Sequence, residues 1–214
     1  MKTIYFIRHG ESEGNTGSIH QNAFSALSDR GREQAAFMAE RCSNLPIDSL
    51  VSSTMTRAQQ TAAIIGEKIG KEVLLSPLFT ERRRPSAQTG ELKNHPDVLR
   101  IDKEIWNNFG TTDYRHSDEE NFEDLRDRAR QALEFLASYS EEHVAVVTHG
   151  FFMRIVMAYI VFREHLTGKE CELFMRTLQM ENTGLTIIKY AGSDAEPPWR
   201  ISTWNDHAHL GEAI

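Results

Sequence analysis

The chain has 214 residues, a length typical of one globular domain, and 40% of them are hydrophobic while 26% are charged. The formal net charge of −7 excludes the broadly basic surface of proteins that coat nucleic acids, so a phosphate site would be basic only locally. The two cysteines, Cys42 and Cys171, lie far apart in predicted helical stretches and lack metal-binding spacing, which favours buried thiols in a reducing cytoplasm.

No segment has the pattern of a secretory signal or of a membrane helix. The apolar run of residues 4–7 is interrupted by Arg8. The later run of residues 151–162 contains Arg154 and is shorter than the ~20 apolar residues that a membrane-spanning helix needs. The sequence therefore predicts a soluble, cytoplasmic protein with no membrane partner and no nucleic-acid partner.

Strand and helix patterns alternate along the chain. Short runs rich in β-branched and aromatic residues predict strands within residues 3–7, 48–53, 72–75, 144–148, 184–190 and 199–204. Apolar residues at helical spacing predict helices over residues 29–45, 56–69, 122–139 and 151–162. This alternation predicts an α/β fold with a mostly parallel central sheet and helices on both of its faces, in a single domain of residues 1–214.

Three predicted helices carry signals at their ends. Ser28 or Asp29 can cap the first long helix, because short polar side chains accept hydrogen bonds from free amides at a helix start. Gly70 can end the second helix. Ser117 together with Glu120 predicts a capping box ahead of the third.

Two segments lack a helix or strand pattern. Residues 77–96 are rich in turn residues and include the charged cluster 81–84, so we expect a substrate-shaping insertion around residues 77–120. Near the C-terminus, the pair His207 and His209 has no third ligand at a convincing metal-binding spacing. A mobile tail is the favoured interpretation there, and no metal is expected.

Charged residues follow four of the predicted strands. Parallel α/β sheets bind ligands at the carboxyl ends of their strands, which makes these residues candidates for a site. Arg8 and His9 end the first strand, Arg57 and Glu81 come after the second and third, and His149 ends the fourth. We expect them to share one cleft.

These residue types suit metal-free phosphoryl transfer through a covalent intermediate. A neutral imidazole can attack phosphorus when its other ring nitrogen is held as N–H, and His9 is the predicted nucleophile. Guanidinium groups grip phosphate in a planar fork, a role that fits Arg8 and Arg57. His149 is expected to be a further donor. The chemistry needs no cofactor.

The leaving alkoxide needs a proton, and Glu81 is the predicted general acid. Once the alcohol has left, the same carboxylate can deprotonate the water that hydrolyses the phosphohistidine. Glu11 and Asp113 are alternative donors. The N-termini of the helices that follow the first, second and fourth strands are predicted to direct amide groups towards the same anion.

Four ordered segments resemble the histidine phosphatase superfamily, which includes cofactor-dependent phosphoglycerate mutases. They are residues 8–12 (Arg-His-Gly-Glu-Ser) with Asn15 following, residues 27–35, residues 52–62 and residues 147–150 (Val-Thr-His-Gly). The resemblance runs from residue 1 to about Tyr190. It implies a phosphoglycerate mutase-like fold and a phosphate pocket formed by Arg8, His9, Arg57 and His149, with Asn15 and Ser53 as auxiliary contacts and Glu81 in the place of the proton donor.

The chain departs from the common family pattern after Glu81. Many relatives have a stretch with glycine and tryptophan there, whereas this chain has residues 82–90 (Arg-Arg-Arg-Pro-Ser-Ala-Gln-Thr-Gly). Arg82 is a candidate contact to an anionic substrate, although a run of three basic residues is also typical of a solvated surface.

The resemblance leaves three functions open. The shorter middle segment favours a phosphatase that hydrolyses phosphomonoesters through phosphohistidine over a phosphoglycerate-type phosphomutase. A catalytically silent phosphate-binding module is the third interpretation, since a fold alone does not fix activity. The expected partners are a small phosphorylated substrate and inorganic phosphate.

Overall fold

A six-stranded sheet forms the centre of the computed structural model, which describes residues 1–20 and 22–211. In chain order the strands are β1 (Lys2–Arg8), β2 (Ser49–Ser52), β3 (Val73–Leu75), β4 (His143–Thr148), β5 (Leu185–Tyr190) and β6 (Trp199–Asp206). Their spatial order is β3-β2-β4-β1-β5-β6. The pairs among β1 to β4 are parallel, while β5 runs antiparallel to both β1 and β6. The prediction of a mostly parallel sheet is confirmed.

Helices cover both faces of this sheet. They are α1 (Glu13–Thr16), α2 (Asp29–Cys42), α3 (Thr56–Ile69), α4 (Pro96–Asn108), α5 (Phe122–Ser138), α6 (Gly150–Phe162) and α7 (Gly168–Thr177). Successive side chains of a strand point to opposite faces. Tyr5 and Ile7 accordingly join a buried cluster with α2 and α3, while Ile4 and Phe6 join the larger cluster with α5 and α6. The α/β architecture is confirmed.

The predicted ends of α2 and α3 match the structure. Oγ of Ser28 accepts a hydrogen bond from the amide of Gly31 at 3.0 Å and so caps α2. Gly70 follows α3 with φ +66°, a left-handed conformation that glycine adopts without steric cost. Local chemistry therefore locates the start of α2 and the end of α3, whereas α2 ends at Cys42, three residues before the predicted Leu45.

The predicted capping box of Ser117 and Glu120 is wrong. Helix α5 begins at Phe122, and Asn121 with Asp124 forms its capping box. Glu120 is engaged elsewhere, because its two carboxylate oxygens accept hydrogen bonds from Arg128 at 2.8 and 2.9 Å. The asparagine–aspartate pair offers the same reciprocal capping closer to the apolar run.

The segment 77–120 contains more regular structure than its turn-rich sequence predicts. Two 3₁₀ turns, Pro77–Phe79 and Ser86–Gln88, are followed by α4, whose start is marked by Pro96 in its first turn. Helix α4 buries Val98, Ile101 and Ile105. The segment therefore carries an amphipathic helix that the sequence analysis missed.

The second of the two C-terminal histidines, His209, contacts the body of the protein. Residues 208–210 form a 3₁₀ turn, and Nε2 of His209 lies 2.9 Å from Oγ1 of Thr183. Arg41 of α2 pairs with Asp206 just before this turn. The expected mobile tail is therefore wrong for residues 207–210, and residues 212–214 lie outside the described part.

Two kinds of feature are absent from the described residues. No helix there combines the length and the apolar composition that a membrane crossing requires. No three of the described histidines, cysteines and acidic residues are grouped so that they could hold a metal ion.

Candidate active site

Two histidines lie side by side at the carboxyl edge of the sheet. Strands β1 and β4 pair with Arg8 opposite Thr148, so His9 and His149, the next residue of each chain segment, emerge at the same level. Their ring centroids are 5.0 Å apart, and both residues are buried. The parallel register thus brings together two residues that are distant in sequence.

The hydrogen bonds of His9 fix its tautomer. Nδ1 lies 2.6 Å from the carbonyl oxygen of Gly10, which can only accept, so Nδ1 carries the proton. Nε2 therefore presents a lone pair, which accepts a hydrogen bond from Nε of Arg57 at 3.1 Å. Burial, followed by the charges of Arg57 and Arg8, lowers the pKa of His9 well below its ordinary value. The ring is neutral at neutral pH, as a nucleophile requires.

His149 is held through the opposite ring nitrogen. Its Nε2 lies 2.8 Å from Oγ of Ser53, and that oxygen also accepts the amide of Met55 at 3.2 Å. Nδ1 of His149 is buried and has no hydrogen-bond partner among the residues that the structure describes. Burial, followed by the neighbouring His9, lowers the pKa of this histidine well below its ordinary value. His149 is therefore a second neutral ring.

Two arginines flank His9, of which Arg57 is buried and Arg8 is half-buried. Arg57, on the first turn of α3, is 2% exposed and donates Nη1 to the carbonyl oxygen of Asn22 at 3.2 Å in addition to its bond with His9. Arg8 donates to the carbonyl oxygen of Met180, while its Nε has no partner among the described residues. The surroundings place two guanidinium groups next to a neutral imidazole.

Glu81 is bound at the N-terminus of α6. Its Oε1 accepts the amides of Phe152 at 3.1 Å and Arg82 at 3.0 Å, and its Oε2 accepts the amide of Phe151 at 3.3 Å. The first amides of α6 were expected to face the phosphate, but in this structure they orient the carboxylate. Within the described residues Oε2 has a single donor, which leaves it room for a proton.

The two alternative proton donors lie elsewhere. Glu11 accepts a hydrogen bond from Oγ of Ser28, the N-cap of α2, at 2.8 Å. Asp113 is exposed, in a left-handed turn with φ 59°. Of these three described carboxylates, only Glu81 lines the cavity next to His9. The geometry favours Glu81.

This cavity has a volume of about 990 Å³. Besides His9 and Glu81, its described lining includes seven arginines and two further glutamates: Arg8, Arg57, Arg82, Arg83, Arg84, Arg128, Arg154, Glu120 and Glu181. Cations outnumber anions there, although the protein as a whole carries a net charge of −7. The cavity is locally basic and suits an anionic ligand.

The two predicted auxiliary contacts are placed differently. Asn15 lines the cavity, and its Oδ1 accepts hydrogen bonds from the amide and the hydroxyl of Ser12 at 3.0 and 2.9 Å. Ser53 is fully buried and does not belong to the described cavity lining. Ser53 therefore contacts His149 from behind, whereas Asn15 reaches the space where a ligand would bind.

The three consecutive arginines have different surroundings. The guanidinium of Arg82 lies over the ring of Phe151, 4.1 Å from its centroid, and burial lowers its pKa to about 9. Arg83 is exposed. Nη1 of Arg84 is 3.0 Å from Oδ1 of Asp102, with which it forms an ion pair. All three line the cavity, so the alternative of a purely solvated surface does not describe Arg82 or Arg84.

Two residues that the sequence analysis missed hold the backbone of the segment around His9. Nδ2 of Asn182 donates to the carbonyl oxygen of His9 at 2.9 Å. The amide of Thr183, whose φ of 56° is left-handed, donates to the carbonyl oxygen of Arg8 at 3.1 Å. No local pattern marks these residues, and Asn182 lies 173 positions from His9.

Sequence comparisons relate the chain to known proteins. Residues 4–207 match the model of the histidine phosphatase superfamily (branch 1). A protein of Enterobacter sp. (strain 638) named probable phosphoglycerate mutase GpmB is 30% identical over 221 residues, which cover 98% of this chain and 95% of that relative.

Solved structures share the fold. Bacillus stearothermophilus YhfR has a TM-score of 0.82 at 23% identity, covering 98% of this chain and 100% of its own. A mycobacterial glucosyl-3-phosphoglycerate phosphatase, in complex with VO3, has a TM-score of 0.75 at 23% identity, covering 96% and 99%. At these identities the likeness shows a phosphoglycerate mutase-like fold and leaves the activity open.

Proposed function

The chain belongs to the histidine phosphatase superfamily, and from this premise we propose that it hydrolyses small phosphomonoesters through a covalent phosphohistidine at His9. The observation that carries the proposal is the pair of hydrogen bonds on His9. The carbonyl of Gly10 keeps the proton on Nδ1, and the lone pair of Nε2 lies beside Arg57. A candidate nucleophile and a guanidinium group that can bind phosphate are thus adjacent.

In the first step, the Nε2 lone pair of His9 forms a bond to phosphorus while the bond between phosphorus and the alcohol oxygen breaks. A protonated Glu81 gives its proton to the leaving oxygen and becomes a carboxylate. The ring of His9 gains positive charge as the P–N bond forms. Its Nδ1–H remains bonded to the Gly10 carbonyl, which stabilises that charge.

In the second step, water replaces the alcohol. The Glu81 carboxylate removes a proton from water, whose oxygen attacks phosphorus while the P–N bond breaks and its electrons return to Nε2 of His9. Inorganic phosphate leaves, and Glu81 is again protonated for the next cycle. One carboxyl group therefore serves both half-reactions, and no metal ion takes part in them.

Three groups stabilise the charge that develops on the equatorial phosphate oxygens. Arg8 and Arg57 supply guanidinium N–H groups. As the lone pair of His9 forms the P–N bond, the Nε–H of Arg57 exchanges that lone pair for a phosphate oxygen as its hydrogen-bond acceptor. His149 contributes through Nδ1. If the hydroxyl of Ser53 donates to Nε2, the proton of the neutral ring is on Nδ1, the buried atom without a partner in the described structure.

A phosphomutase is the second candidate, favoured by the 30% identity to a protein named as a probable phosphoglycerate mutase. The two activities share the phosphoenzyme and differ in what attacks it. A mutase returns the phosphoryl group to another hydroxyl, whereas a phosphatase admits water. Product analysis distinguishes them: release of inorganic phosphate from phosphoglycerate supports hydrolysis, and isomerised phosphoglycerate without net phosphate release supports the mutase.

The proposal predicts an acid-labile, base-stable phosphoenzyme that forms in the presence of excess EDTA. The protein is mixed with ³²P-labelled phosphoglycerate, quenched in alkali within milliseconds and digested, and the labelled peptide is identified. We expect the label on the peptide that contains His9, with turnover unchanged by EDTA. A loss of turnover in EDTA, or a label on a serine peptide that survives acid, would contradict the mechanism.

A further inference from the structure

Thr61 lies one helical turn after Arg57 in α3, and its side chain is fully buried. Its hydroxyl oxygen accepts a hydrogen bond from the amide of Gly10 at 3.1 Å and donates one to the carbonyl oxygen of Arg57 at 2.8 Å. These directions are fixed, because a backbone amide can only donate and a carbonyl oxygen can only accept. The hydroxyl therefore ties the first turn of α3 to the residue that follows His9.

The same two residues are the hydrogen-bond partners of the His9 imidazole. The carbonyl oxygen of Gly10 lies 2.6 Å from Nδ1, and Nε of Arg57 donates to Nε2 at 3.1 Å. Thr61, Gly10, His9 and Arg57 are thus joined in a closed cycle of four hydrogen bonds. In this cycle the hydroxyl of Thr61 connects the partner of one ring nitrogen to the partner of the other.

Other contacts hold the main chain of His9 but do not orient its ring. The amide of His9 donates to the carbonyl oxygen of Thr148 at 2.9 Å, and its carbonyl oxygen accepts Nδ2 of Asn182 at 2.9 Å. Neither bond restricts the side-chain torsions, of which the second has a broad minimum in histidine. The direction of Nε2 therefore depends on the hydrogen bonds from Gly10, which follows β1, and from Arg57 at the start of α3.

The bond from Thr61 to Arg57 alone would be unremarkable, since helical threonines often donate to the carbonyl four residues earlier. The second bond distinguishes Thr61, because it reaches an amide 51 positions away in the sequence. The pair Gly10 and Thr61 is buried, and a buried amide that loses its acceptor is costly. Without the hydroxyl, the backbone of Gly10 would shift, and its carbonyl would move relative to the ring of His9.

We propose that Thr61 is a positioning residue for the nucleophile. Its hydroxyl keeps the Gly10 carbonyl and the Arg57 guanidinium in place, so that Nδ1 of His9 retains the proton and Nε2 faces the phosphate. Thr61 does not belong to the described lining of the cavity, so it acts through these neighbours and not by contact with a ligand. The inference rests on the proposed function for the role of His9. A displacement of about 1 Å at a reacting group costs on the order of 10²-fold in rate.

Removal and restoration of the hydroxyl test the effect on the rate. A single turnover of p-nitrophenyl phosphate with the protein in excess, followed as p-nitrophenolate release by stopped flow, measures phosphorylation of His9. We expect Thr61→Val to slow this step about 10- to 100-fold, and Thr61→Ser, which restores the hydroxyl, to stay within about threefold of the unsubstituted protein. Thr61→Ala carries the same expectation as Thr61→Val without placing a methyl group beside the Gly10 amide, in case the valine variant does not fold.

Thr186→Val is the matched control for the loss of a buried threonine hydroxyl. Thr186 lies on β5, is fully buried, and accepts the amide of Asn205 at 3.1 Å. Its hydroxyl has no described bond to His9, Gly10 or Arg57. We expect the control to lose stability to thermal unfolding in the same way as Thr61→Val but to keep the phosphorylation rate within about twofold.

The ¹⁵N chemical shifts of the His9 imidazole test the positioning without turnover. The signals are assigned by their absence from His9→Ala, and in the unsubstituted protein we expect those of a neutral ring with its proton on Nδ1. Thr61→Val or Thr61→Ala should move them towards those of a mixture of tautomers, because both nitrogens lose aligned partners. Thr61→Ser and Thr186→Val should leave them unchanged, since a loss of stability alone does not alter the ring in the folded protein.

Three results would overturn the inference: equal slowing in Thr61→Val and Thr186→Val, a Thr61→Ser variant as slow as Thr61→Val, or unchanged His9 shifts in a folded variant that lacks the Thr61 hydroxyl. The chemical shifts also separate this inference from the proposed reaction. If no phosphohistidine forms but the shifts respond to Thr61 as expected, Thr61 orients His9 and the proposed reaction is rejected. If phosphohistidine forms and the shifts do not respond, the reaction stands and the role of Thr61 is rejected.

Discussion

The segments around His9 and His149 have the same local pattern, a buried parallel strand followed by His-Gly, yet the structure gives the two rings opposite orientations. His9 has its Nδ1 bonded to a backbone carbonyl and presents Nε2. His149 has its Nε2 bonded to Ser53 and leaves Nδ1 without a partner in the described structure. The hydrogen-bond partner, more than the motif, therefore distinguishes a candidate nucleophile from a candidate donor.

The glycine that follows each histidine is needed for a different contact. A Cβ at Gly10 would lie 2.4 Å from the carbonyl oxygen of Gly31 in α2, so the first segment requires close backbone approach. A Cβ at Gly150 would lie 3.2 Å from Nε of Arg8, so the second segment makes room for a side chain of the site. The same dipeptide serves helix packing in one place and the candidate phosphate pocket in the other.

Substitution of each histidine by alanine should separate the two roles most clearly. We expect His9→Ala to lower kcat by at least ~10⁴-fold and to abolish phosphoenzyme labelling, because the nucleophile is gone. His149→Ala is the matched control, which should slow labelling about 10²- to 10³-fold but still label His9, because only a donor is lost. Rapid-quench labelling with peptide mapping measures both. Label retained in His9→Ala would reverse or reject the assignment.

The first amides of α6, the helix that follows His149, bind the carboxylate of Glu81, which we expect to be the general acid. Glu81→Gln tests this second difference between the segments around His9 and His149. Alkyl phosphates have basic leaving groups that need a proton, so their phosphorylation step should slow about 10²- to 10⁴-fold. An aryl substrate such as p-nitrophenyl phosphate releases a stable phenolate and should slow much less in the same step. Phosphoenzyme formation must be followed by rapid quench, since a defect in water activation affects every substrate equally. Equal slowing for both substrates would exclude Glu81 as the acid.

Arg57 distinguishes His9 from His149 because it donates directly to the reactive nitrogen of His9. We expect Arg57→Ala to lower kcat/KM about 10²- to 10³-fold through loss of a phosphate donor. Burial and, after it, the positive charge of Arg57 lower the pKa of His9, so removal of that charge should raise the pKa. Because protonated His9 cannot attack, the acid limb of the phosphorylation rate should then move to higher pH. An unchanged acid limb in a folded variant would show that Arg57 does not act on His9.

The sequence predicted these strand ends better than the contacts between them. β-branched runs located β1 and β4, and parallel pairing placed His9 beside His149 as expected. The bond between Ser53 and His149 joins residues 96 positions apart, and no periodicity reports such a contact. Glu81 was identified as the acid candidate, but its attachment to the amides of α6 depends on the path of the chain after β3. Helix α4 was missed because Pro96 was interpreted as a turn residue although it opens the helix.

Ser53 should give the smallest effect, and it tests whether the orientation of His149 comes from its hydrogen bond. Ser53→Ala removes the partner of Nε2, so the proton of the neutral ring can redistribute between its two nitrogens. We expect phosphorylation to slow roughly tenfold, and ¹⁵N chemical shifts of the His149 imidazole to change from those of one tautomer towards those of a mixture.

A lost buried hydrogen bond also lowers stability, so the rate alone does not distinguish positioning from general weakening of the fold. The double variant with His149→Ala does: if Ser53 acts through His149, the Ser53→Ala change has no further effect on the rate once that ring is absent. A tenfold loss in both backgrounds would place the role of Ser53 outside the histidine pair.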